Sequence, residues 1–92
     1  MSSIKDLKKD IHFLTSEMFT ECFVKQFIKD DVDKDKLAGI MVDAVKFRDE
    51  FLARTNHYDA KDNPKLVRTY FNKLRHDLYA KYIEMSENIN KL

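Results

Sequence analysis

Asn56-His57-Tyr58-Asp59-Ala60-Lys61-Asp62-Asn63-Pro64 contains the chain's only proline and ends on it. Asparagine before proline is a helix start. The Asn side chain accepts a free first-turn amide, and proline lacks the amide hydrogen that goes unpaired at that position. Residues 56–63 therefore read as a polar break with a helix on each side. Beyond it, Val67, Tyr70, Phe71, Leu74, Leu78, Tyr82, Met85, Ile89 and Leu92 recur three and four apart. That is the stripe of an amphipathic helix, and it predicts a third helix over 64–91.

Before the break, Leu37, Ile40, Met41, Ala44, Val45, Phe47, Phe51 and Leu52 share one broad face and predict a second helix over 35–55. Asp30, Asp31, Val32, Asp33, Lys34 and Asp35 form an acidic turn ahead of it. Asp33 or Asp35 is its expected cap, because a short carboxylate accepts first-turn amides. Upstream, Ile4, Leu7, Ile11, Leu14 and Met18 form another stripe, and the helical pattern continues through Cys22 and Phe23 to Ile28. It predicts a first helix over 3–30, about 42 Å long, with Ser3 as cap and Asp6 as its capping-box partner. Short connections favour antiparallel neighbours. The expected fold is all-α: a single domain, 1–92, built as an up-down-up three-helix bundle.

The composition agrees. In 92 residues there is one glycine and one proline. Sandwiches and barrels need turn residues every few positions, and phosphate-binding loops need clustered glycines. The lone Gly39 falls inside helix two, where it costs roughly 1 kcal/mol against alanine and suggests close approach of a neighbouring helix. Seventeen Lys and Arg balance 16 Asp and Glu, for a net charge of +1. That is not a general nucleic-acid or membrane signature. One cysteine, Cys22, permits no internal disulfide. No signal-peptide run or membrane-length apolar stretch is present, so a cytoplasmic protein with no membrane contact is expected.

Helix one carries more apolar surface than a bundle needs. At 100° per residue, Phe13, Val24 and Phe27 fall nearly opposite the Ile4–Met18 stripe, with Phe23 on the flank. From 18 to 28, seven of eleven residues are apolar. A bundle helix needs one stripe. The second points to a partner surface, most simply a homodimer or contact with another helical protein. Supercoiling, or the turn folding back, would instead cover these side chains within one chain.

Patterns of catalysis and metal binding are weaker. Asp31, Asp33 and Asp35 match positions 1, 3 and 5 of a calcium loop, but Lys36 stands where glycine is required and Val42 where glutamate is. A capped acidic turn explains them better. His12, His57 and His76 have no His or carboxylate at helical ligand spacing that would make a site. Cys22 has no activating neighbour and lies on the core stripe. No metal, no cofactor and no enzymatic activity are expected. One charged feature remains. Lys65, Arg68, Asn72, Arg75 and Tyr79 line one flank of helix three, and residues 61–92 hold seven basic against four acidic side chains. Such a flank suits phosphate contact, with Tyr79 as a stacking surface. Facing the acidic flank of helix two, or being simply a solvated face, is the plainer explanation. Lys81 lies nearer the core and is expected to snorkel.

Two segments, Ile4-Lys5-Asp6-Leu7-Lys8-Lys9-Asp10-Ile11 and Asn63-Pro64-Lys65-Leu66-Val67-Arg68, together with the acidic turn and the length, resemble a family of small all-helical proteins from Bacteroidetes that has no assigned activity. The resemblance spans nearly the whole chain. It implies a helical bundle in a bacterial cytoplasm and transfers no functional residues.

The leading expectation is thus a non-enzymatic helical interaction protein, homodimeric through Phe13, Phe23, Val24 and Phe27. The alternative is a nucleic-acid-binding accessory module using Lys65, Arg68, Arg75 and Tyr79.

Overall fold

A computed structural model describes residues 4–58 and 62–92. It contains three α-helices: α1 over Ile4–Ile28, α2 over Lys34–Asn56 and α3 over Pro64–Asn90. Each helix packs against both others. The Lys29 ammonium, just after α1, donates to the carbonyl of Leu92 just after α3. The Tyr70 hydroxyl, early in α3, donates to the Arg54 carbonyl late in α2, at 2.7 Å. These contacts run α1 and α3 parallel with α2 between them in direction, an up-down-up bundle.

The helix starts follow the expected chemistry. Asp33 caps α2: its Oδ1 accepts the amides of Asp35 and Lys36 at 3.0 and 3.1 Å. Asp35 sits in the first turn and favours the positive end of the helix dipole. Asn63 caps α3 by accepting the Leu66 amide at 3.2 Å, with Pro64 in the first turn. The expected Ser3 cap on α1 lies outside the described residues. The His57 amide closes α2 by donating to the Ala53 carbonyl at 2.9 Å.

The three stripes meet in one core. Leu7, Ile11, Met18 and Cys22 from α1, Ala44 and Phe51 from α2, and Leu74, Leu78 and Ile89 from α3 are each 2% exposed or less. Burying a side chain of Leu or Ile size is worth about 1.5–3 kcal/mol, so these positions carry most of the fold's stability. Ile4, at the start of the first stripe, is 39% exposed. Two polar residues, Thr15 within α1 and Thr55 near the end of α2, are buried. Their hydroxyls donate to the Ile11 and Phe51 carbonyls at 2.8 Å, so neither enters the core unsatisfied.

One residue of the acidic turn takes an added role, and one expectation needs correction. Val32, in the acidic turn, is buried. It immediately precedes the Asp33 cap, and Leu37, also buried, is four residues past that cap, so the pair occupies the two positions of a hydrophobic staple. Gly39 serves no close helix approach. A Cβ built there meets nothing within 4 Å.

Candidate interaction face of helix one

The turn periodicity of α1 divides it lengthwise. Leu7, Ile11, Leu14, Met18 and Cys22 point into the bundle. On the far side Phe13 is 62% exposed, Phe23 57%, Val24 51% and Phe27 89%. The bundle does not cover them by supercoiling, and the acidic turn does not fold back over them. Ile28, 71% exposed, extends the same surface. In the sequence it reads only as the end of the helical pattern. Its position beside Val24, one turn earlier, was the available signal.

Between the aromatic residues the face is small and polar. Ser16 and Thr20 are both exposed and separate Phe13 from the Phe23, Val24 and Phe27 group. Lys5, Lys9 and His12 are exposed towards the start of α1, and Lys8 is half-buried. With Ile4 they line a shallow, open groove. Asp30, Asp31, Asp33 and Asp35 are exposed at the opposite end of the helix. The face is therefore apolar along much of its length, with exposed Lys5, Asp6 and Lys9 near its start and four exposed aspartates among exposed Lys29, Lys34 and Lys36 just beyond its end.

The basic flank of α3 is distributed differently. Lys65, Arg68, Asn72 and Tyr79 are exposed. Arg75 is half-buried and already makes an interaction within the fold. The flank does not face α2. The surface that α3 turns to α2 carries Asp77, Ala80, Lys81 and Glu84, which line a shallow groove with Glu50, Phe51 and Arg54. Lys81 behaves as expected: its ammonium reaches outward to 3.4 Å from a Glu84 carboxylate oxygen.

The polar centre of that groove was not legible in the sequence. One carboxylate oxygen of Asp77 accepts from the Arg54 guanidinium at 2.9 Å and from the Lys73 ammonium at 3.0 Å. Hydrogen bonds from Lys73 and then Arg54 hold the Asp77 carboxyl down, from 3.8 to about 2. The Arg54 guanidinium also lies over the Phe51 ring, 5.1 Å from its centre. Lys73 is one turn from Asp77 and visible as a pair at that spacing. Arg54 comes from another helix, and nothing in local sequence pairs it with Asp77. The arrangement joins α2 to α3.

The remaining candidates take structural places. Cys22 is 1% exposed, and burial, then the neighbouring Glu21 charge, pushes its thiol up. Its thiolate is disfavoured, the opposite of what a nucleophile needs. His12 is exposed, and His57 ends α2. His76 is exposed with Nδ1 at 3.7 Å from Asp77. Tyr58 stacks edge-on against Phe71, with ring centres 4.9 Å apart, and covers the lower end of the core. Among the described residues no group of three or more His, Cys, Asp or Glu side chains could hold a metal ion. No described helix is long and apolar enough to cross a membrane. Compared with known families, curated proteins and solved structures, the chain matches none.

Proposed function

We propose that this chain is a non-enzymatic interaction module that self-associates through the outer face of α1. One observation carries the reading. Three phenylalanines, each more than half exposed, share a single helix whose opposite face is already in the core. Scattered exposed apolar residues are ordinary, but aromatic rings gathered on one helix face mark an interaction surface. Taken with the resemblance of its helix-start segments, the reading puts the module in a bacterial cytoplasm.

Sedimentation of the purified protein at tens of micromolar is expected to show a dimer. Phe13→Glu combined with Phe27→Glu is expected to give a soluble monomer with unchanged helix content, because neither ring supports the core. A monomeric parent protein, or a double variant that unfolds, overturns the reading.

The second reading, nucleic-acid contact through Lys65, Arg68, Arg75 and Tyr79, is favoured by the exposure of Lys65, Arg68 and Tyr79 on a flank turned away from α2. It requires binding to single-stranded DNA or RNA at low salt that weakens steeply as salt rises. Unchanged mobility of an oligonucleotide at low salt removes it.

A further inference from the structure

Resting on the self-association proposed above, we infer that the two copies pair their α1 helices antiparallel, with the two-fold axis passing through Thr20. The exposed side chains themselves supply the symmetry. Phe13 lies seven residues before Thr20 and Phe27 seven after it. Ser16 lies four before and Val24 four after. At 100° per residue, the Phe13–Phe27 and Ser16–Val24 pairs each straddle the direction of Thr20 symmetrically. Thr20 is thus the centre of the set both along the helix and around it.

A two-fold axis makes residue i of one copy meet residue j of the other, and j meet i. Through Thr20 it seats Phe13 of each copy against Phe27 of the other, and Ser16 against Val24. The small Ser16 and Thr20 let the helices approach closely between two aromatic pairs. This accounts for the isolation of Phe13, about 15 Å along the helix from Phe23. In a parallel pairing Phe13 meets only its own copy, and the polar Ser16 and Thr20 face each other.

Charge selects the same direction. Antiparallel pairing brings exposed Lys5 and Lys9 of each copy towards the exposed Asp35 and Asp31 of the other, and exposed Asp6 towards exposed Lys34, while half-buried Asp10 falls near Asp30. Parallel pairing sets lysine beside lysine and aspartate beside aspartate, and like charges across an interface select against that arrangement.

The area fits a second copy of modest affinity. A phenylalanine presents about 200 Å², so the exposed fractions of Phe13, Phe23 and Phe27 leave about 400 Å² of ring surface per copy. Val24 and Ile28 add to it. That approaches without reaching the ~800 Å² per partner of a standard interface, which places the dimer at the small, weak end of specific association.

Disulfide trapping tests the inference. Ser16→Cys and Val24→Cys variants are prepared separately in the full chain, then mixed and oxidised. Antiparallel pairing through Thr20 predicts a 16–24 cross-linked species in the mixture. It predicts little cross-linking of Ser16→Cys alone, since two such residues stand about 12 Å apart along the helix, beyond the Cα separation a disulfide spans. A 16–16 cross-link with no 16–24 product overturns the inference while leaving self-association intact. So does a dimer by sedimentation that yields neither product. A monomer by sedimentation with neither product overturns the self-association reading itself, and the inference with it.

Discussion

A methyl group added at Gly39 meets open space. Glycine inside a helix loses more backbone freedom on folding than alanine does, and here no packing requirement offsets that loss. Gly39→Ala is expected to stabilise the protein by about 1 kcal/mol, read as a raised denaturant midpoint at unchanged slope. A destabilised variant would mean that the position meets something the isolated chain does not show. Asp77 is the second residue with a defined energetic signature. Its carboxyl titrates at about 2, below its ordinary 3.8, because Lys73 and Arg54 favour the charged form. A lowered folded-state value contributes stability that is present above the unfolded value and is lost as pH falls towards the folded one. Stability is therefore expected to drop between about pH 4 and pH 2. In Asp77→Asn that part of the profile should flatten, with lower stability at neutral pH. An unchanged acid profile in the variant would show that the carboxylate does not couple α2 to α3.

Helix boundaries were legible almost to the residue. The expected spans of 3–30, 35–55 and 64–91 became Ile4–Ile28, Lys34–Asn56 and Pro64–Asn90. They were legible because Asp33, Asn63 and Pro64 do their work locally, through amides two or three residues away. The same locality makes α2 testable. Asp33 accepts two amides, so Asp33→Ala is expected to cost about 1 kcal/mol. Asp35 accepts none of the described first-turn amides and acts only on the dipole, so its loss should cost about 0.3–1 kcal/mol. Equal losses in thermal melts would show that Asp33 also contributes mainly through charge. Val32 shows where local reading ran out. Among four aspartates it reads as turn, and only the position of its cap relative to Leu37 reveals it as core.

At the scale of the molecule the bundle is a rod. Its radius of gyration is 15.4 Å, with extents of 53 × 21 × 16 Å. A compact chain of this length would have a radius near 12 Å. A rod of three helices offers each of them one long outward side, and on α1 that side is aromatic. Helical arithmetic alone placed Phe13, Phe23, Val24 and Phe27 there. It could not decide whether the turn would fold over them, because that depends on where Val32 anchors. The Arg54–Asp77 contact stayed hidden for a related reason: it depends on how α2 and α3 register along the rod, and no periodicity within either helix encodes that. Two rods paired about Thr20 are offset by only about 12 Å. Small-angle scattering of the dimer is therefore expected to give a longest dimension of about 65 Å from the 53 Å of one copy. End-to-end association would give nearly double the single length.

The buried thiol of Cys22 turns this architecture into its own gauge. It is shielded on the inner side of α1 and held in its unreactive protonated form. Alkylating reagents can reach it only when α1 lifts from the other two helices. At high reagent concentration the labelling rate reports how often that lifting occurs; at low concentration it reports the free energy of the opened state. Because pairing through the outer face of α1 should tether the helix from outside, labelling ought to slow as protein concentration rises. A single native cysteine thus lets association on one side of the helix be heard as opening on the other.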